Sequence, residues 1–350
     1  MGISRSRQDI WSIWAKRIAW AVLVVFAAVV LFAEFLAPYD PASQVRSSPS
    51  APISSVRFRD EAGQFRFRPF IYKVELIDAL NAVYAEDASH SYPLGLFVEG
   101  EPYKLLGLFQ SRTHLFGVIG DGADAPRLHL LGTDPLGRDR FSRLLIAAKF
   151  SLIVTPLGAL LAFVIGVVVG LVSGYAGRTV DTAIMGVTDT VLALPTLILI
   201  LAARAAFPLD LPPLRAAMLL VMIFAFTGWA EIARLTRGLV RSIREREYIL
   251  AARSIGLSEP RILFRHILPN AAGPLLTHAT IMLPYFLLSE VALSFLGVGV
   301  QEPQPSLGNM LAAASDISQL QRAPLLLLSP AIVIFLFVIA VRVAAPRRGD

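Results

Sequence analysis

The stretch Leu157-Gly158-Ala159-Leu160-Leu161-Ala162-Phe163-Val164-Ile165-Gly166-Val167-Val168-Val169-Gly170-Leu171-Val172-Ser173-Gly174 decides the class of this fold. It is apolar along its whole length and carries no charge, so it has no polar face to turn toward water. A helix needs about 20 mainly apolar residues to cross the hydrocarbon core of a bilayer. The run at 151–175 meets that length, and five other stretches meet or approach it: 18–37, 182–203, 215–231, 273–298 and 324–343. The fourth of the six in chain order, 215–231, is the shortest. Gly158, Gly166, Gly170 and Gly174 recur at helical spacing. Small residues in that register let two helices approach closely in lipid, so this face is expected to pack on a neighbour. The plainer reading is a span that merely tolerates glycine.

Composition agrees. Of 350 residues, 55% are hydrophobic and only 17% charged, against roughly a quarter charged in ordinary globular domains. That balance excludes intrinsic disorder and argues against a soluble enzyme of two domains. The formal charge is +6, but the arginines lie beside apolar runs, where they signal topology before nucleic-acid binding. With no cysteine in the chain, disulfides, thiolate nucleophiles and Cys-ligated metals are excluded. The first run follows Arg5, Arg7, Lys16 and Arg17. It reads as a retained helix rather than a signal peptide, being long and ending at Pro38 without a small-x-small cleavage site.

Charge also sets an orientation. Arg234, Arg237, Arg241, Arg244, Arg246, Arg253, Arg261 and Arg265 crowd one connecting segment, and Arg342, Arg347 and Arg348 follow the last run. The opposite short loops hold Arg204, Arg215 and Arg322. The positive-inside rule then places both termini in the cytoplasm. Residues 38–130 form a long outside segment. Val56-Arg57-Phe58-Arg59 and Phe65-Arg66-Phe67-Arg68 alternate about Asp60-Glu61-Ala62-Gly63, which predicts a hairpin. A second hairpin is expected from 94–98 and 103–108 about Glu99-Gly100-Glu101-Pro102, a short helix over 72–84, and a flexible turn at Asp121-Gly122-Ala123-Asp124. Such a cap either contacts a partner or substrate or merely stabilises the loop. His114 and His129 read as structural or solvated.

On the inside, residues 244–256 predict a short helix ended by Gly256 in the left-handed conformation. Ser258 is expected to cap a second helix that Pro269 stops. Two helices joined at a glycine make an elbow at the membrane surface. Tyr248, Ile249, Ala252 and Ile255 form an apolar patch that suits either a protein partner or lipid headgroups.

The motif Ala251-Ala252-x-x-x-Gly256 followed by Ile267-Leu268-Pro269 resembles the cytoplasmic loop signature of ABC importer permeases. Two further stretches narrow the resemblance to the dipeptide, oligopeptide and nickel permeases, specifically their C-type subunit. One is Leu131-Gly132-Thr133-Asp134-Pro135-Leu136-Gly137-Arg138-Asp139, leading into the second span. The other is Leu293-Ser294-Phe295-Leu296-Gly297-Val298-Gly299-Val300-Gln301, with Glu290 just before it, in the fifth span.

The resemblance implies an all-α polytopic membrane protein of about six transmembrane helices with the type I ABC importer permease fold; the small, mainly β extracytoplasmic insertion read from the hairpin patterns departs from the family's shorter members. The resemblance divides the chain into a cytoplasmic N-terminus with first span (1–37), the insertion (38–130) and the permease core (131–350). Within the core, residues 232–270 form the coupling loop that docks into a cleft of the ATPase subunit, with Glu247, Tyr248, Leu250, Ala251, Ala252, Arg253, Gly256, Ile267 and Pro269 at the contact. It further implies residence in the cytoplasmic membrane alongside a second homologous permease, two ABC ATPases and an extracytoplasmic solute-binding protein. ATP and Mg would be handled by the ATPases, with no cofactor, catalytic residue or metal in this chain. The family usually carries Glu before the Ala-Ala pair; here that position is Leu250.

The chemistry that is missing fits. No Gly-x-x-x-x-Gly-Lys-Ser/Thr loop occurs, so ATP must be handled by another chain. Only Glu290 and His278 lie well inside a predicted span, with Asp181, Asp189 and Glu231 nearer the ends. Glu290 either lines a path or makes a structural bond to a neighbouring helix. Neither His-Glu-x-x-His nor Gly-x-Ser-x-Gly is present, which argues against an intramembrane hydrolase. The leading reading is a permease subunit of an ATP-driven importer for peptides or a similar small solute. The competing readings are a stand-alone secondary transporter or channel, whose ionisable groups should sit at the midplane, and a membrane scaffold with a sensory outer domain.

Overall fold

Apolar runs of this length can satisfy their backbone in lipid only as helices, and helices dominate the computed structural model. It describes residues 3–60, 64–79, 81–120, 125–322 and 324–345. Helix α1 (Ile3–Leu36) is followed by strands β1 (Arg57–Arg59), β2 (Phe65–Asp78), β3 (Val83–Leu105) and β4 (Phe109–Val118). Then come α2 (Arg140–Tyr175), α3 (Arg178–Leu192), α4 (Thr196–Ala205), α5 (Pro213–Arg244), α6 (Glu247–Ser254) and α7 (Glu259–Ile262). A π-helical turn (Leu263–Ile267) leads into α8 (Leu268–Phe295), and α9 (Leu307–Ala312), α10 (Ile317–Arg322), α11 (Pro324–Leu327) and α12 (Ser329–Ala344) complete the described chain.

Four helical segments among the described residues are long and apolar enough to cross a membrane: Ile13–Leu36, Arg140–Tyr175, Pro213–Arg244 and Glu259–Phe295. The third expected span is not one straight helix. It divides into α3 and α4, bent by 84°, because Pro195 lacks the N–H that would continue the ladder and becomes the residue capping α4. The sixth expected span divides as well, into α11 and the 16-residue apolar helix α12.

The chain forms two compact units. One comprises Met1–Leu23, Leu152–Val300 and Ile334–Asp350; the other comprises Val24–Ser151 and Gln301–Val333. In the first, the glycine stripe of α2 lies against α5. A Cβ on Gly166 would stand 2.6 Å from the carbonyl oxygen of Trp229, and one on Gly170 would stand 2.5 Å from that of Ala233. Helix α5 packs in turn on α8, where Phe224 and Phe286 stack with centroids 4.8 Å apart.

In the second unit the four strands form an antiparallel meander in the order β1-β2-β3-β4. The first expected hairpin is the β1–β2 pair, with Arg59 opposite Phe65. Residues 61–63 of its turn lie outside the described residues, as does the turn expected at 121–124. Two other expectations fail. The described residues of 72–84 are not helical: Tyr72, Val74 and Leu76 alternate with Lys73 and Glu75, a period of two that suits β2 and its pairing with β3.

Residues 99–102 are likewise not a turn. They form a bulge within β3, between the Glu99–Thr113 and Tyr103–Ser111 pairs. A Cβ on Gly100 would sit 2.7 Å from the His114 ring, and the bulge leaves Pro102 free of the ladder bond it cannot donate. The chain reverses instead at residues 106–108, since Leu105 pairs with Phe109.

The α2–α5 contact generates a direct test. Gly170→Val forces a branched side chain into the Ala233 carbonyl and is expected to destabilise the protein by about 1–3 kcal/mol. Gly186→Ala, at a position in α3 where a Cβ meets nothing within 4 Å, is expected to leave stability unchanged or slightly raised. Thermal unfolding of both variants in lipid nanodiscs separates them.

Candidate functional site

Residues 245–270 build the elbow between α5 and α8. Helix α6 opens with Glu247 in its first turn, a favourable charge at the positive end of the helix dipole. It closes on a Schellman arrangement: Gly256 donates to the Arg253 carbonyl at 2.9 Å and Leu257 to that of Ala252 at 3.1 Å. Gly256 takes φ +81°, as the sequence predicts. Ser258 precedes α7 with extended backbone but makes no side-chain cap bond.

Pro269 does not stop the second helix. The π turn ahead of it lets Leu268 N–H reach the Leu263 carbonyl, and the proline falls in the first positions of α8. A helix start has no use for the N–H that proline lacks, so the elbow runs on into the span without interruption.

The apolar patch expected on the elbow divides in two. Ile249 and Ala252 are buried with Val240 and Ile243 of α5, Ile262 and Ile267 of the elbow, and Ala271 and Leu275 of α8. Tyr248, Leu250 and Ile255 are 41%, 50% and 77% exposed. Ala251 and Pro269 are also exposed. Arg253 bridges the two short helices with a forked pair to Glu259 at 2.7 and 3.1 Å, and that carboxylate holds the guanidinium above its ordinary basicity. The elbow is therefore fixed from beneath to two long helices and bare above.

Behind it lies a polar junction that sequence reasoning missed. Asp181, at the start of α3, is buried and accepts from Arg237 at 2.5 and 2.8 Å, Arg241 at 2.6 Å and Ser173 at 2.6 Å. Arg234 pairs with Asp189, and Arg244 donates to the Gly174 carbonyl at 2.7 Å. The signal was present in the spacing. Arg234, Arg237, Arg241 and Arg244 recur every three or four residues, which aligns them on one face of α5.

The fifth-span motif ends α8. Glu290 is fully buried and accepts from Ser294 Oγ at 2.8 Å, a bond one helical turn along. Phe295 and Leu296 are exposed. Gly297 turns the chain at φ +74°, and Val298 and Gly299 both donate to the Leu293 carbonyl. A Cβ on Gly299 would overlap Ser294 Oγ. Arg204, 1% exposed at the end of α4, donates to the Gly299 carbonyl at 3.3 Å and to those of Phe207 and Pro208. Sequence reasoning passed Arg204 over as a loop charge.

The motif before the second span folds into a knot in the other unit. Thr133 Oγ1 donates to the Ser48 carbonyl at 2.6 Å and accepts from Ala51 N–H at 2.7 Å. Asp134 receives the backbone of Leu136 and Arg138 and the Arg138 side chain. Gly132 and Gly137 have positive φ, and a Cβ on either would strike the backbone carbonyl of Ala51 or Val45. Asp139 accepts the Ser142 N–H at 2.8 Å, capping α2, and pairs with His129. Arg138 and Arg143 converge on Glu302, at 2.6 and 2.8 Å.

The family described as binding-protein-dependent transport system inner membrane component matches residues 166–347, just over half the chain. This chain belongs to that family. The match takes in the elbow and the fifth-span motif and begins after residues 132–139. As an inner membrane component, the chain is 36% identical over 196 residues to the oligopeptide transport system permease protein OppC of Bacillus subtilis (strain 168), covering 55% of this chain and 61% of that protein. It is 36% identical over 212 residues to the di/tripeptide transport system permease protein DppC of Pseudomonas aeruginosa (strain UCBPP-PA14), covering 61% and 67%. Among solved structures it is similar to an inward-facing form of the MetNI methionine ABC transporter, at 20% identity and a TM-score of 0.44, covering 59% of this chain and 97% of that one. The chain thus spans less than two thirds of the Bacillus relative it matches.

Thr133 offers a measurement of the knot that leads into α2. Thr133→Val removes both hydroxyl bonds and leaves Ala51 N–H and the Ser48 carbonyl unpaired, at a cost of about 1–3 kcal/mol. Hydrogen exchange at the Ala51 amide is expected to speed up by about tenfold or more.

Proposed function

We propose that this inner membrane component is a transmembrane permease subunit of an ATP-binding-cassette importer, moving di- or oligopeptides or a similar small solute. The observation that carries the proposal is the elbow. Its inward side, Ile249 and Ala252, is packed into α5 and α8, while Tyr248, Leu250 and Ile255 are left exposed. A surface so built transmits a push applied to it into two long helices, because a close-packed core does not absorb displacement. Family membership and the peptide permeases among its relatives support the same reading.

In this reading the elbow lies within the cytoplasmic coupling loop, 232–270, and docks on an ATPase. A second homologous permease completes the pathway, two ATPases bind ATP and Mg, and an extracytoplasmic solute-binding protein delivers the solute. The chain itself carries no cofactor. Both termini are cytoplasmic, and the sheet inserted at 38–130 is extracytoplasmic, in accord with the arginines of α5 and the elbow. ATP-driven closure of the ATPases moves the elbows together and turns the permease pair outward. Leu250, at the position where the family usually has Glu, makes that part of the contact apolar, and Glu247 and Arg253 supply the nearby charges.

The test uses the exposed face, because a charge at Ala252 would disrupt the elbow's own core. Tyr248→Asp is expected to lower ATPase co-purification and solute-stimulated ATP hydrolysis by about tenfold, equivalent to about 1.4 kcal/mol of contact energy, without lowering the thermal stability of the chain. Ile249→Ala is expected to lower stability by about 2–5 kcal/mol. Unchanged assembly and coupling in Tyr248→Asp, or gradient-driven uptake by this chain reconstituted alone, would overturn the proposal.

A further inference from the structure

The knot leading into α2 borders a half-open cavity of about 200 Å³, lined by Asp134, Arg138, Arg140, Arg143 and Glu302 together with Met310 and Ala313. Among the described residues its charges do not cancel: three guanidinium groups face two carboxylates. Glu302 is taken up by Arg138 and Arg143, and Asp134 by Arg138. Arg143 also donates to the Pro41 carbonyl at 3.1 Å. The neighbouring Asp139 is engaged by His129 and the Ser142 N–H and does not line the cavity.

Arg140 is the cation of the three with no carboxylate hydrogen-bonded to it; Asp134, already held by Arg138, acts on it only through space. It is 8% exposed, and its Nε donates to the Thr133 carbonyl at 2.8 Å. No described residue accepts a hydrogen bond from its two terminal nitrogens. A largely buried guanidinium whose nearest carboxylate is bonded elsewhere is poorly compensated, whereas its planar fork fits a carboxylate through two parallel bonds.

We propose that this cavity is a binding site for the terminal carboxylate of a peptide, with Arg140 as its anion partner. One excess positive charge matches a monoanion, and about 200 Å³ admits a carboxylate with the residue that bears it but not a whole oligopeptide. Arg138 and Arg143, already neutralised, hold the cavity open and set its potential. Choosing a peptide as the source of the carboxylate rests on the importer reading; the demand for a small monoanion rests on the cavity alone.

The absence of cysteine from the chain makes a local test available. Ala313→Cys, with Met310→Cys as a second reporter should the first fail to fold, places one thiol on the cavity wall of the full chain in nanodiscs. A negatively charged methanethiosulfonate is expected to modify it about tenfold faster than a positively charged one, because a cleft of excess charge concentrates the opposite ion. Millimolar N-acetylglycine is expected to slow that reaction, while the neutral N-acetylglycinamide has no effect. Adding Arg140→Gln is expected to abolish both the preference and the protection. Equal rates for the two reagents, equal protection by acid and amide, or protection that survives Arg140→Gln would each overturn the proposal. Protection by inorganic phosphate equal to that by N-acetylglycine would overturn it too, by assigning the site to anions at large. Peptide uptake by the assembled transporter is measured separately: uptake without protection removes the cavity and leaves the importer, and protection without uptake does the reverse.

Discussion

The approach of α2 to α5 is the constraint on which the membrane-embedded unit depends. Between helices in hydrocarbon, burial of apolar surface supplies little drive, so association relies on close packing and polar bonds. Gly166 and Gly170 let the two backbones meet at a separation no side chain would permit. The same register carries Ser173 and Gly174 to the end of α2, where Asp181, Arg237, Arg241 and Arg244 close the junction with charge. Moving either helix along its axis would break the glycine contacts and the ion pairs together.

That coupling explains how a small elbow can matter to long helices. Val240 and Ile243 lie on the stretch of α5 that carries Arg237, Arg241 and Arg244, and they are the residues on which Ile249 and Ala252 pack. The elbow's underside is thus continuous with the most tightly bonded part of the unit. Its upper side holds Tyr248, Leu250 and Ile255, which are exposed among the described residues. Rigidity below and exposure above are what the proposed docking of the elbow on an ATPase requires.

The places where sequence reasoning failed share a cause. Residues 99–102 and 72–84 were misassigned because Gly, Pro and mixed polarity are local signals, whereas strand pairing is decided by a partner many residues away. Pro269 was misplaced for a related reason: its effect depends on the π turn before it, which no propensity announces. The elbow patch was legible as apolar, but apolarity alone does not tell which residues face inward. Ile249 and Ala252 separate from Tyr248 and Ile255 only when α5 and α8 are present to receive them.

The membrane class is legible in the uncharged runs near 20 residues, which satisfy their backbone in hydrocarbon as helices. Sequence by itself also determined the glycine-mediated contact face of α2, the turn at Gly256 and the family, through motifs whose spacing is local. What those residues meet was settled by the tertiary packing: α2's glycines lie on α5, Asp181 gathers the arginines, and Arg140 has no carboxylate hydrogen-bonded to it. Each of these depends on distances between residues far apart in the chain, and a linear sequence carries no such distances.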